Sequence, residues 1–147
     1  MIAAKSQEKF PNELLILVIR VNSHPCPFCS PAEKDIVYSN AFWYARWDDF
    51  PATRGHLLVI PFRHSTGYFD TTAEEQASLP EMLIACKTIL DAKFGPAGYN
   101  IVINTGAAAD QKVMHCHVHM IPRYSGDTDN PEGGIKGFIL GRPERVV

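Results

Sequence analysis

The chain has 147 residues, of which 46% are hydrophobic, and this suits one compact domain with its own core. Its formal net charge of −2 argues against nucleic-acid binding through a general basic field. The longest apolar run near the N-terminus, 14–19, falls far short of the roughly 20 residues that span a bilayer, so we expect a cytoplasmic protein without a membrane segment. We treat 1–147 as a single domain, with an N-terminal extension at 1–25 and a C-terminal tail at 124–147.

The predicted elements are short strands around one long helix. The segment 12–21 could be a short helix or a strand. A β-hairpin is predicted from 36–38 and 41–47, with Ser39 and Asn40 as its turn. The apolar run 57–62 predicts a buried strand.

A helix is predicted from Thr72 to Phe94. Thr72 and Glu75 form a capping box, and the Gly95-Pro96 pair ends the helix. Pro80 lies inside it, where proline costs about 3 kcal/mol, so we expect a kink or two helices split near residue 79.

The remaining chain completes an α+β domain with a mainly antiparallel sheet. Strands are predicted at 99–104 and 113–121, with a loop at 105–112 between them, and a last short strand at 136–140.

Cys26 and Cys29 have the C-x-x-C spacing that lets two thiolates share one tetrahedral zinc. This pair needs two further ligands, and histidine is the usual supplement. A redox pair is the rival interpretation, and packing by two buried thiols is the third. The other two cysteines, Cys86 and Cys116, fall on apolar faces and are expected to act as small hydrophobic residues.

Three histidines alternate with apolar residues at positions 115, 117 and 119. On a strand this spacing places all three imidazoles on one face, roughly 6 to 7 Å apart. Two chemistries fit. Two of the histidines could hold a catalytic zinc, or the middle imidazole could attack phosphorus while its neighbours orient it and bind phosphate oxygens. No carboxylate lies nearby at ligand spacing, which mildly favours the second.

With these residues assembled, the chain resembles the histidine triad (HIT) family. Residues 115–121 fit its signature of three histidines alternating with apolar residues, and 48–64 resemble the family's Asp-x-x-Pro, Gly-His and Ile-Pro-x-x-His segment. Asn104-x-Gly, Gln111 and the Pro122-Arg123 pair also fit. The resemblance covers about 26–123.

The resemblance implies a fold and a chemistry. The fold is a five-stranded antiparallel sheet with a long helix and a short one, paired as a homodimer. The chemistry is attack by His117 on the α-phosphorus of a bound nucleotide, followed by hydrolysis of the nucleotidyl-histidine. His119 and His56 would support the phosphate site.

The resemblance also assigns ligands. Asn104 and the backbone near Gln111 would contact phosphate, and Asp48 would hold the ribose hydroxyls. In zinc-bearing branches a structural zinc is held by residues that correspond to Cys26, Cys29, His64 and His115. Candidates for the base pocket are Phe28, Ile36, Trp47 and Phe50.

Two departures from the family pattern bear on the substrate. Asp110 stands where the family usually has glycine, and Lys112 stands where a hydroxyl residue is often found. That hydroxyl helps to protonate an amine leaving group in the phosphoramidase branch, whereas Lys112 could meet additional phosphates. We therefore expect a dinucleoside polyphosphate hydrolase. The alternatives are a nucleoside phosphoramidase, a non-catalytic nucleotide-binding regulator, and a hydrolase with a catalytic metal on the triad.

Overall fold

The structure is a computed structural model that describes residues 26–127. The predictions for 12–21 and 136–140 lie outside the described residues, as do the N-terminal extension and most of the C-terminal tail. Among the helices of 26–127, none is long and apolar enough to cross a membrane.

Five strands form one antiparallel sheet in the order β1-β2-β3-β5-β4. Their bounds are β1, Tyr38–Ser39; β2, Trp43–Trp47; β3, Leu57–Pro61; β4, Gly98–Val102; and β5, Val118–Arg123. The predicted α+β architecture with a five-stranded antiparallel sheet is confirmed.

The hairpin between β1 and β2 turns later than predicted. Tyr38 pairs with Ala45, which places the turn after Ser39 instead of at it. The reason is Asn40, whose Oδ1 accepts the backbone N–H groups of Phe42 (2.9 Å) and Trp43 (2.8 Å). An asparagine that bonds its own backbone two residues ahead fixes a turn at that point.

One helix, α1, extends over Ala73–Phe94, and within 26–127 it is accompanied only by short 3-10 turns. The capping box is present: Thr72 Oγ1 accepts the Glu75 N–H, and the Glu75 carboxylate accepts the Thr72 N–H. Gly95 ends the helix in the left-handed conformation, with φ of 58°. The alternative of two helices split near residue 79 is wrong. Buried Leu79 and Met82 anchor the helix on both sides of Pro80, and this packing outweighs one lost hydrogen bond.

The two faces of the sheet have different roles. The helix covers one face and forms the main core with it: Trp43, Ala45, Leu57, Val59, Leu79, Met82, Cys86, Leu90, Cys116, Val118 and Met120. The opposite face carries a smaller cluster of Phe28, Tyr44, Leu58 and Ile60. We call this second surface the site face, because the histidines lie on it.

Strand β5 begins at Val118, so the predicted strand at 113–121 starts too early. The residues before it are held by other bonds. The Cys116 N–H donates to the Ser65 carbonyl (2.6 Å), and the His115 ring donates to the Pro61 carbonyl (2.9 Å). These bonds fix 115–117 without a strand ladder. Strand β4 likewise ends two residues before the predicted limit of 104.

Candidate functional site

Cys26, Cys29, His64 and His115 come together at one end of the site face. One ligand atom from each lies within 4.8 Å of all the others. The Sγ of Cys26 is 3.3 Å from His115 Nδ1, and the Sγ of Cys29 is 3.2 Å from His64 Nδ1. Tetrahedral zinc, with Zn–S of about 2.3 Å and Zn–N of about 2.05 Å, requires an N···S separation of about 3.5 Å. The spacing and the Cys₂His₂ donor set both fit zinc.

The ring of His115 is oriented as a zinc ligand should be. Its Nε2–H donates to the Pro61 carbonyl, which leaves the Nδ1 lone pair facing the two sulfurs. The side chain is completely buried, and burial lowers its pKa, so the neutral ligating form is favoured. Four protein ligands leave no position for water, so the site is structural.

The His117 ring is held by the backbone carbonyl of His115. Its Nδ1–H donates to the His115 carbonyl oxygen at 2.8 Å. The proton is therefore fixed on Nδ1, and Nε2 carries a lone pair. The ring is 6% exposed and lies edge-on to Phe28, with centroids 5.4 Å apart. His115 thus contacts both sites, by its ring at the zinc cluster and by its carbonyl at His117.

His56 and His119 form a short hydrogen-bond chain. The Ala52 N–H donates to His56 Nδ1 (3.1 Å), so the His56 proton is on Nε2, which lies 3.0 Å from His119 Nδ1. His119 accepts there and keeps its own proton on Nε2, as a donor. Burial lowers the pKa of both rings, and for His119 burial together with the neighbouring His117 and His56 lowers the pKa to about 4. Both are neutral near pH 7.

The rings of His117 and His119 face each other edge to face, with centroids 5.0 Å apart. This is closer than the separation of 6 to 7 Å predicted along a strand, because the rings turn toward each other. His115 is directed to the cysteines instead. The three histidines therefore do not converge on one metal position.

Asp48 lies beside this pair. Its Oδ1 accepts the Phe50 N–H (2.8 Å), and its Oδ2 is 3.5 Å from His56 Nδ1 and 3.8 Å from His119 Nδ1. Asp48, His56 and His119 could geometrically surround a cation. Both ring nitrogens of His56 and Nδ1 of His119, however, are already engaged in hydrogen bonds with each other and with the Ala52 N–H. Asp48 Oδ2 remains an acceptor that a hydroxyl could satisfy.

The loop before the triad contains the candidate phosphate ligands. Asn104 Nδ2 donates to the Ala109 carbonyl across this loop. Gln111 is 3% exposed: its Nε2 donates to the carbonyls of Thr66 (2.6 Å) and Val113 (2.9 Å), and its Oε1 accepts the Gly106 N–H (2.7 Å). The Gln111 side chain is thus fully engaged within the protein and clamps the loop.

The two departures from the family pattern contact each other. The Lys112 ammonium forms an ion pair with the Asp110 carboxylate, and both side chains are about three-quarters exposed. Asp110 has φ of 63°, in the left-handed region that favours glycine. This backbone conformation explains why the family usually has glycine where this chain has Asp110. The ion pair with Lys112 offsets the negative charge that Asp110 adds.

The proposed base-pocket residues separate in the structure. Phe28 is buried against His115 and His117. Trp47 packs on the helix side against Phe94. Ile36 is partly buried beside the smaller cluster, and the Phe50 ring is 90% exposed.

The sequence suggested that a main-chain carbonyl could hold the attacking imidazole, but it did not identify the groups that hold the rings, namely the carbonyls of Pro61 and His115 and the Ala52 N–H. Sequence reasoning also missed the ion pair of Arg63 with Glu75. Arg63 directly precedes His64, and its Nε and Nη2 donate to the two carboxylate oxygens at 2.9 and 2.7 Å. The capping-box position of Glu75 was the available signal.

Comparisons with known proteins agree with this fold and site. The family model described as "HIT domain" matches residues 30–126. A HIT-like protein of Mycobacterium tuberculosis is 37% identical over 132 residues, which are 82% of this chain and 85% of the relative. A zinc-bound histidine triad family protein from Mycobacterium smegmatis is 35% identical, with a TM-score of 0.60 over 67% of this chain and 70% of that one. A hypothetical histidine triad nucleotide-binding protein from Sulfolobus tokodaii is 30% identical, with a TM-score of 0.60 over 65% and 64%.

The five-stranded antiparallel sheet and the alternating histidines place this chain in the class of histidine triad proteins. This chain belongs to the HIT family, in its zinc-bearing branch. The structural zinc expected for that branch fits the side chains of Cys26, Cys29, His64 and His115.

Proposed function

We propose that this chain is a nucleotide hydrolase or transferase that acts at the α-phosphate of a nucleotide conjugate through a covalent nucleotidyl-His117. The observation that carries the proposal is the bond from His117 Nδ1–H to the His115 carbonyl. A neutral imidazole held in this way presents Nε2 as a nucleophile, and the carbonyl stabilises the imidazolium that forms on attack.

The reaction proceeds in two displacements. His117 Nε2 attacks the α-phosphorus, a P–N bond forms, and the P–O bond to the remaining phosphates breaks. With a dinucleoside polyphosphate, this leaving group is a nucleoside polyphosphate anion that needs no proton. Water then attacks the same phosphorus, the P–N bond breaks, a nucleoside monophosphate and one proton are released, and His117 returns to its neutral form. His119 Nε2–H would donate to the phosphate oxygens as their charge grows.

The nucleoside is oriented by residues beside the histidines. Asp48 Oδ2 is available to accept from a ribose hydroxyl, and Asn104 and the backbone near Gln111 would border the phosphates. The zinc, when bound, fixes the segment that carries His115 and His117, and it takes no part in bond making. The Sulfolobus relative is named as nucleotide-binding, which agrees with this assignment.

A dinucleoside polyphosphate is the substrate class that we favour. Lys112 is exposed, and within residues 26–127 its ion-pair partner is the exposed Asp110, so it can turn to the additional phosphates. A phosphoramidase is disfavoured because Lys112 provides no hydroxyl next to the leaving group. A catalytic metal on the triad is disfavoured because His115 faces the cysteines.

The His117→Ala variant tests the proposal against a panel of dinucleoside polyphosphates and nucleoside phosphoramidates. We expect the rate to fall at least about 10³-fold, while zinc content, circular dichroism and nucleotide affinity stay close to wild type. Normal turnover by this variant would show that the nucleophile is misassigned. Binding without turnover by the wild type would favour the regulator instead.

We also propose a homodimer, with β4 as the joining edge. Among the strands of the described residues, β4 has β5 as its one neighbour, and Ile101 on β4 is 48% exposed. A second copy could continue the sheet there. Sedimentation analysis should give twice the chain mass, and a monomer at micromolar concentration would contradict the proposal.

A further inference from the structure

Strand register places an arginine on the same face as the catalytic histidines. Arg46 on β2 pairs with Leu58 on β3, and Leu58 pairs with His119 on β5. Directly paired residues share a face, and neighbouring strands lie about 4.8 Å apart, so Arg46 begins roughly 10 Å from His119. Asp48 is two residues after Arg46 and so lies on the same face. A nucleotide with its phosphate at His119 and its ribose at Asp48 would direct its base toward Arg46.

Arg46 forms an ion pair with Asp49 through a single guanidinium nitrogen. Its Nη2 donates to Asp49 Oδ1 (3.0 Å) and Oδ2 (2.8 Å), and its Nε donates to the Trp47 carbonyl (3.4 Å). Among residues 26–127, no acceptor is bonded to its Nη1. The Asp49 side chain is 72% exposed and that of Arg46 is 19% exposed. Ion pairs with an exposed partner contribute little to stability, so a ligand can engage both groups.

A cavity adjoins this pair. Its volume is about 440 Å³, which lies within the range of small-molecule sites. It extends from Arg46 and Asp49 around the edge of the sheet to helix α1, and its lining mixes charged with apolar side chains: Lys34, Asp35, Ile36, Val37, Arg46, Trp47, Asp49, Ile89 and Lys93. Phe50, next to Asp49 in the chain, exposes most of its ring, which offers a surface for stacking.

The pair matches one base better than the others. The Watson–Crick edge of guanine presents an acceptor at O6 and two parallel donors at N1 and N2. A guanidinium beside a carboxylate is complementary to this edge, since Arg46 can donate to O6 while Asp49 accepts from N1–H and N2–H. Adenine offers one donor and one acceptor there, so the carboxylate would lose one of its two bonds.

We propose that Arg46 and Asp49 are specificity-determining residues that select a guanine nucleotide over an adenine nucleotide. This inference rests on the proposed function, because the positions of the phosphate and the ribose orient the base. It names the base that the site accepts.

The test compares kcat/KM for diguanosine and diadenosine tetraphosphate in the wild type, Asp49→Asn and Arg46→Met. Asp91→Asn is the matched control, because it breaks another exposed ion pair, with Lys87 on the helix. We expect a preference for the guanosine substrate of at least 10-fold in the wild type and in the control. In both site variants the preference should fall at least 5-fold, mainly through KM for the guanosine substrate.

Two results would overturn the inference. One is a wild-type preference below about 2-fold, and the other is a site variant that lowers kcat/KM for both substrates by the same factor.

Calorimetric titration with GMP and AMP keeps this test separate from the proposed function. If neither substrate is hydrolysed, the proposed function fails, yet GMP affinity at least 10-fold above AMP affinity, lost in Asp49→Asn, still supports base selection. Equal affinities reject it.

Discussion

Replacement of Glu75 by glutamine should weaken the connection between helix α1 and the zinc-bearing segment. The Glu75 carboxylate is 3% exposed and accepts three bonds, from Arg63 Nε (2.9 Å), Arg63 Nη2 (2.7 Å) and the Thr72 N–H (2.7 Å). Glutamine retains an oxygen for the cap but loses the charge and one of the bonds to Arg63.

The magnitude follows from these contacts. Hydrogen bonds to charged groups contribute about 1.5–3 kcal/mol each, and loss of a fully buried ion-pair partner costs about 3–5 kcal/mol. Arg63 is 48% exposed and regains water when its partner is replaced, so the cost is smaller. We expect Glu75→Gln to lower the free energy of unfolding by about 1–2 kcal/mol at pH 7.

Urea unfolding of the zinc-loaded protein measures this cost, and Glu74→Gln, at an exposed position in the same turn, is the control. The bond from Arg63 holds the pKa of Glu75 below its usual value of 4.5. The contribution is therefore fully present above pH 4.5 and is lost as pH falls through the lower pKa of the folded protein. A loss below about 0.5 kcal/mol, or a loss equal to that of Glu74→Gln, would refute the reasoning.

Three further predictions concern the zinc, the histidines and the loop. Cys26→Ser should abolish stoichiometric zinc by atomic absorption and lower Tm, and chelation of the wild type should do the same; a metal-loaded Cys26→Ser variant would argue against this site. The pKa of His119 is lowered from 6.5 to about 4, so the unfolded chain binds its proton first and stability should fall as pH drops from 6.5 toward 4. His119→Asn should flatten that part of the pH profile of unfolding, and an unchanged slope would contradict it. Asp110→Gly should leave the free energy of unfolding unchanged or raise it by up to about 1 kcal/mol, because glycine adopts the left-handed conformation without strain. Ala108→Gly, in the adjoining turn, should lower the free energy of unfolding. If both substitutions lowered it, Asp110 would not be strained.

The patterns that sequence reasoning used best were short and chemical. The resemblance to the histidine triad family predicted that Cys26 and Cys29 would group with His64 and His115, and the structure brings these four side chains together. The C-x-x-C spacing by itself indicated only a zinc-binding pair that needs two further ligands. The helix start was predicted correctly from Thr72 and Glu75, because a capping box specifies both of its hydrogen bonds.

What could not be predicted depends on partners that the sequence does not name. The strand was extended back to 113 because alternation continues there, yet Ser65 and Pro61 provide carbonyls that fix 115–117 outside the ladder. The assignment of His115 to the zinc, apart from His117 and His119, came from the family resemblance and not from the spacing of the histidines. The position of Pro80 within an unbroken helix depends on tertiary packing of Leu79 and Met82, which local propensity does not include.

The central claim is that His117 Nε2 becomes covalently bound to the α-phosphorus of the substrate. Rapid acid-free quenching of wild-type enzyme during turnover of a dinucleoside tetraphosphate, followed by mass spectrometry of the intact chain and its peptides, tests this directly. The account predicts a mass increase of one nucleoside monophosphoryl group on the peptide that contains His117, absent from His117→Ala. Turnover without any such adduct, or an adduct on another residue, would contradict it.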